Sequence, residues 1–201
     1  MHIMPKLIDH EQRKREILNK AISLFAKNGY KETSLSNLAE SCKISRPTLY
    51  QYFNDKEEIF EYALKNFTDS MYRRYKMISK RGMTNLEILK TIYADIVIRC
   101  FRNTDFLLSL SDYVLQESKN GVGFSDRVRR RTIRFEYLIS GLLGRAERDG
   151  EVKGLNRALT VEHIMRMVQA LFFQIVYNGG TGKRDREIAI FNSWIDSISI
   201  I

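Results

Sequence analysis

Proline and cysteine are nearly missing from this chain. Its 201 residues hold two prolines, Pro5 and Pro47, and two cysteines, Cys42 and Cys100. The cysteines stand 58 positions apart, which excludes a CxxC redox or zinc motif and a disulfide framework. His2, His10 and His163 are scattered, with no HExxH motif or clustered ligand set, so no metal and no cofactor are expected. Long apolar runs are also absent. The longest uncharged helical stretch, residues 167–182, is interrupted by Gln169, Gln174 and Asn178, short of the about 20 apolar residues a bilayer span requires. The first twelve residues, MHIMPKLIDHEQ, contain no compact apolar run, so no secretory signal is expected and a cytoplasmic location is. No GxSxG, GxxxxGK[ST] or GxGxxG motif and no carboxylate pair with metal spacing occurs, so the chain does not read as an enzyme.

Basic charge and helical periodicity are what remain. The formal net charge is +9. Residues 1–83 contribute +6 and residues 84–201 contribute +3, a bias that suits a polyanionic partner such as DNA. Glycine and proline are absent from residues 83–120 and 155–178, where apolar residues recur at spacings of three and four. The chain therefore reads as all-α, with helices expected over 11–27, 35–41, 46–52, 56–80, 85–99, 104–117, 126–149, 161–178 and 183–199. Gly29, the 121–123 glycine loop, Gly150 and Gly179 serve as expected stops. Ser34, Ser45, Asp55, Thr84 and Thr160 serve as expected N-caps.

The most informative stretch is residues 33–53, TSLSNLAESCKISRPTLYQYF. Two short helices joined by Cys42-Lys43-Ile44-Ser45, with an earlier helix covering both, is the plan of a helix-turn-helix. Leu38, Ala39, Ile44, Leu49 and Phe53 tie the pair together. Arg46, Pro47, Thr48 and Gln51 occupy the outward side of the second helix. There an arginine can pair with guanine and a glutamine with adenine, while Thr48 and the Pro47 ring can meet a thymine methyl. Tyr50, Tyr52 and Lys56 are placed for phosphate oxygens, and Thr33, Ser34 and Ser45 can add hydroxyl contacts. Plain surface residues on a helix pair that never meets DNA would show the same pattern.

Leu38-Ala39, Ile44-Ser45, the run Thr48-Leu49-Tyr50-Gln51-Tyr52-Phe53 and the run Lys56-Glu57-Glu58-Ile59-Phe60 closely resemble the N-terminal domain of the TetR/AcrR family of transcriptional regulators. The lead-in of Ile17-Leu18, Ala21, Leu24-Phe25, Asn28-Gly29-Tyr30 and Thr33-Ser34 fits as well. The resemblance implies an all-α homodimer of nine or ten helices, usually a repressor relieved by a small molecule. It divides the chain into a helix-turn-helix domain over 1–54 and a helical ligand-binding and dimerisation domain over 55–201, joined by a long helix. By analogy Arg46 and Thr48 approach bases, while Tyr50, Tyr52 and Lys56 hold the backbone. Two positions depart from the family pattern. Lys43 replaces the usual turn glycine, where it can pay a conformational cost or add a phosphate contact, and Pro47 stands where a glycine is common.

The remainder is less diagnostic. The last two helices carry more apolar surface than one core needs. Ile164, Met167, Val168, Leu171, Ile175, Ile188, Phe191, Trp194, Ile195 and Ile198 are the expected interface of a two-fold four-helix bundle. The expected walls of an effector cavity are Phe67, Met71, Tyr93, Ile96, Phe106, Leu110, Tyr113, Phe135, Ile139, Leu142 and Phe172, suited to an apolar or aromatic compound, although each can equally be plain core. The expected partners are thus double-stranded DNA, a second copy of the chain and a small-molecule effector, with no membrane. An activator, or a repressor without an inducer, is the alternative that the sequence leaves open.

Overall fold

In the computed structural model, residues 10–78, 82–119 and 124–200 are described. Among them nine helices and no strand are found: α1 (His10–Asn28), α2 (Leu35–Ser41), α3 (Arg46–Tyr50), α4 (Lys56–Ile78), α5 (Asn85–Arg102), α6 (Thr104–Lys119), α7 (Phe124–Arg148), α8 (Arg157–Tyr177) and α9 (Arg184–Ile198). The all-α expectation holds. None of these helices is long and apolar enough to cross a membrane.

Local chemistry sets most boundaries. α1 ends at Gly29, whose φ of +92° only glycine adopts readily. The Ser34 and Ser45 hydroxyls accept from the Asn37 and Thr48 backbone N–H groups and so open α2 and α3. Pro47 sits in the first turn of α3, where no amide is needed. α3 stops two residues earlier than its apolar pattern suggests. The Gln51 and Tyr52 N–H groups bond to carbonyls three residues back, at Thr48 and Leu49, so the helix tightens and ends. Asp55 accepts from the Glu58 amide to start α4, but Glu58 reaches back to Asn54 rather than closing a box on Asp55.

α8 begins four residues before the expected position. Asn156 accepts from the Leu159 amide as the true N-cap. Thr160 lies inside the helix, buried, with its hydroxyl donating back to the Asn156 carbonyl. The glycine loop at 121–123, expected to separate α6 from α7, lies outside the described residues.

α5 is the hub of the larger part of the chain, packing against α4, α6, α7, α8 and α9. Its N-terminus carries the Thr84–Glu87 capping box. It also receives a second carboxylate from a distant loop. Glu151, only 5% exposed, accepts from the Asn85 and Leu86 amides at 2.9 Å each and from the Asn85 side chain at 2.6 Å. Arg145 completes the set by donating to the Asn85 side-chain oxygen and to the Tyr75 hydroxyl. A negative charge belongs here, since it meets amides with no helical partner at the positive end of the helix dipole.

Candidate nucleic-acid interface and internal cavity

The first three helices form a small head. Ile17, Leu18, Ala21 and Phe25 of α1, Leu38 and Ala39 of α2, and Leu49 and Phe53 around α3 are all buried in one cluster. Leu49 is 0% exposed, which fixes which side of α3 faces inward. The opposite side leaves Arg46, Pro47, Tyr50 and Gln51 exposed, with Thr48 half-buried beside Ser45. Arg46 Nη2 donates to the Tyr50 hydroxyl at 3.3 Å, so the two side chains stand together on this face. Lys43 in the turn has φ +54°, alone in the left-handed region among the described non-glycine residues, and is exposed. The turn geometry is therefore the one a glycine would give, adopted here by a lysine at a steric cost.

Three expected phosphate contacts are placed otherwise. Thr33 is 1% exposed and its hydroxyl donates to the Gly29 carbonyl at 2.8 Å, closing the end of α1, so it does not reach the surface. Lys56 Nζ donates to the Tyr30 and Lys31 carbonyls at 2.7 and 3.1 Å and lies over the Tyr30 ring. Burial lowers the pKa of this ammonium, while Glu32 and Asp112 oppose that shift. Its charge is spent on fixing the turn after α1 to the start of α4. Tyr52 is half-buried and its ring stacks on His10 with centroids 4.5 Å apart. Sequence spacing put these residues on the right side of the head but could not show that each had a neighbour in its own chain.

The body contains a cavity of about 420 Å³ bounded by α4, α5, α6, α7 and α8. Seven of the eleven expected wall residues line it: Phe67, Met71, Ile96, Phe106, Leu110, Phe135 and Phe172. The other four do not. Tyr93 stacks on Phe191 at 3.9 Å between α5 and α9. Tyr113 points toward the head, against Tyr30 and Phe60. Ile139 and Leu142 are core residues, 1% and 0% exposed. Asp69, Tyr72, Tyr75 and Met165 also line the cavity and were missed. Asp95, which the sequence offers as a polar group for this cavity, does line it and forms an i, i+4 ion pair with Arg99.

α6 serves both regions. Phe106, Leu107, Leu110 and Val114 line the cavity. Ser109 donates to the Ile22 carbonyl of α1 at 3.0 Å, and Asp112 accepts from the Tyr30 amide just after it. The α1–α6 packing is more extensive than that between α1 and α4.

The expected interface set on α8 and α9 is corrected in part. Ile164, Leu171, Ile175, Phe191 and Ile195 are at most 2% exposed within their own chain, and Val168 faces the cavity. A helix hydrophobic on several sides hides which side faces its own core. The apolar residues left outside are Leu159, Phe173, Tyr177 and Ile190, with Phe173 and Tyr177 stacked on each other.

Residues 17–63 match the model of bacterial regulatory proteins, tetR family, a span that holds α2, α3 and the start of α4. Residues 17–63 are thus similar to the N-terminal domain of that family. The chain is 39% identical over 66 residues to the HTH-type transcriptional regulator HbdR of Aromatoleum sp. (strain CIB), covering 33% of this chain and 28% of that one. It is 33% identical over 81 residues to the HTH-type transcriptional repressor KstR2 of Mycolicibacterium smegmatis, covering 40% of each. The chain spans less than half the length of both relatives. The likeness in fold extends much further. The fatty acid degradation regulator FadR from Bacillus halodurans superposes over 96% of both chains with a TM-score of 0.77 at 15% identity. These three proteins are named as regulators rather than enzymes.

Proposed function

We propose that the protein is a sequence-specific DNA-binding transcriptional regulator, a homodimeric repressor of an inverted-repeat operator that a small apolar or aromatic ligand releases. The observation that carries this reading is the face of α3. Leu49 is fully buried behind it, while Arg46, Pro47, Tyr50 and Gln51 stand exposed in front. Arg46 and Gln51 are the base-reading groups, with Pro47 and Thr48 beside them. Tyr50, Lys43, Ser34 and Ser45 hold phosphates. The names of the relatives HbdR and KstR2 support the same role.

Dimerisation follows from the size of the reader. A five-residue helix covers only a few base pairs, and two readers about 34 Å apart reach successive major grooves. The exposed Leu159, Phe173, Tyr177 and Ile190 on α8 and α9 offer a face for the second copy. Release by a ligand is supported by α6, whose apolar face lines the cavity while Ser109 and Asp112 hold the head. A ligand that displaces Leu110 or Val114 favours a different head position and lowers operator affinity by its preference between the two states.

The test is selection of bound fragments from genomic DNA of the source organism by the purified, ligand-free protein at near-physiological salt. Enrichment of an inverted repeat is the expected result. No enrichment by a folded, dimeric protein refutes the reading.

A further inference from the structure

Six aromatic rings stand in one unbroken file between the cavity and the head. Phe67 of α4 and Phe106 of α6 line the cavity, with ring centroids 5.0 Å apart. Phe106 stacks on Phe60 at 6.0 Å, and Phe60 stacks on Tyr113 at 4.5 Å. Tyr30 meets Phe60 and Tyr113 edge-on, at 6.0 and 4.9 Å. Beyond it lies Phe25, 5.2 Å away and 1% exposed in the core of the head. Every step falls in the range of about 4.5–7 Å where aromatic pairs attract beyond the area they bury. The file has a source in the sequence. Phe60 and Phe67 on α4, like Phe106 and Tyr113 on α6, are seven residues apart, two helical turns and about 10.5 Å. Each helix therefore puts one ring at the cavity and one beside the head. The α4 and α6 backbones approach each other little among the described residues, and the rings bridge the space between them.

We propose that this file ties the cavity wall to the head, and that Phe60 and Tyr30 are positioning residues for the DNA reader. The meaning given to head position rests on the regulator reading, but the tie itself is testable without DNA. The head end of the file is held by both helices. The Tyr30 amide donates to Asp112 of α6, its carbonyl accepts from Lys56 at the start of α4, and the Lys56 ammonium lies over its ring. Phe25, Phe60, Tyr113 and Phe106 are all buried, so the file runs through close-packed interior with little free volume to absorb a shift. A planar ring passes its displacement to the next ring, whereas a leucine can change rotamer and take the displacement up. The Ser109 and Asp112 hydrogen bonds alone would carry only a movement of α6. The rings add α4 to the response and make it depend on side-chain shape.

The experiment is amide hydrogen exchange of the full chain in a set of variants, read at residues 25–30. Phe67→Leu opens space at the cavity end of the file and should speed exchange at these amides by about threefold or more. Phe172→Leu makes the same change on the α8 wall of the cavity, outside the file. It should leave the same amides within about twofold of the parent, as independent sites do. Phe60→Leu cuts the file at its middle, and in that background Phe67→Leu should lose its effect. Tyr30→Leu, at a half-buried position, carries this test if the Phe60 variant does not fold. Tyr30→Phe keeps the ring and should preserve the effect. An equal response to Phe67→Leu and Phe172→Leu, or transmission that survives the cut, overturns the inference. Binding of the same variants to the selected operator separates the two readings. Transmission in a protein that enriches no DNA sequence refutes the regulator and leaves the tie standing. Operator binding by a protein whose wall and head respond independently refutes the tie alone.

Discussion

Lys43 holds the turn of the helix-turn-helix at φ +54°, and Lys43→Gly separates the two consequences of that choice. A non-glycine residue in the left-handed region costs about 1–2 kcal/mol relative to right-handed backbone. Glycine removes that cost but gives the unfolded chain more freedom, which returns roughly 0.5–1 kcal/mol. Lys43 is exposed, so no buried contact is lost. The balance is a gain of about 0.5–1 kcal/mol, or roughly 1–4 °C in Tm for a chain of this length. DNA binding should move the other way. If the ammonium contacts one phosphate, its loss weakens binding to all sequences alike and reduces the slope of log K against log salt by about 0.9. Denaturant unfolding and salt-dependent binding to duplex DNA read the two effects. Lys43→Ala tests the backbone argument from the other side, since it loses the charge but keeps the strain. It should match Lys43→Gly in the salt slope and gain no stability. A Lys43→Gly variant less stable than the parent refutes the strain argument; an unchanged salt slope in both variants refutes the phosphate contact.

Other perturbations address separate parts of the molecule. Arg46→Ala should relax base preference at one or two positions of each half-site, whereas Tyr50→Phe should weaken all sequences equally; binding to a panel of single-base operator variants distinguishes them. Glu151→Ala leaves the Asn85 and Leu86 amides without their buried acceptor and should destabilise the fold by about 2–4 kcal/mol, visible as a lower urea midpoint. Asp112→Ala should raise amide hydrogen exchange around Tyr30 with little effect on α8 and α9; uniform protection across both regions would count against the α6 tie. Burial pushes the Cys100 thiol and the Tyr93 phenol up to about 12. Both groups keep their protons in the folded chain while the unfolded chain releases them above about pH 9 and 10, so their contribution to stability is lost as pH rises toward 12. Urea unfolding measured from pH 8 to 11 should show a falling midpoint, and a midpoint flat across that range would contradict both shifts.

The order and type of the helices were legible in the sequence because their stop and start residues carry local physics. Gly29, Ser34, Ser45 and Thr84 act within a few residues of themselves, and their effects can be read without tertiary structure. Thr160 failed as a cap because Asn156, four residues earlier, offered an equally good side chain, and only the path of the 151–156 loop decides between them. The outward face of α3 was also legible, since Leu49 and Phe53 mark the inward side. Lys56 and Thr33 were not, because their partners are backbone carbonyls, which leave no trace in sequence. The α8–α9 interface set mixed inward and outward residues for a related reason. When apolar side chains occur around most of a helix, periodicity no longer names the buried face, and Leu171 and Phe173 look alike until the neighbouring helices are placed.

The carboxylate that caps α5 has a consequence for the order in which this protein is made. Its partners, the Asn85 and Leu86 amides, leave the ribosome well before Glu151, which is 66 residues later than Asn85. At about 5–20 residues per second, α5 spends several seconds in the nascent chain without its buried acceptor. The contacts of the three-helix head, by contrast, lie largely within the first sixty residues. Synthesis therefore delivers a complete reader first and a body that cannot close its central helix until the last quarter of the chain arrives. An mRNA that stalls between codons 90 and 150 would release a chain with a formed reader and an open apolar body, the kind of product that chaperones and proteases exist to remove.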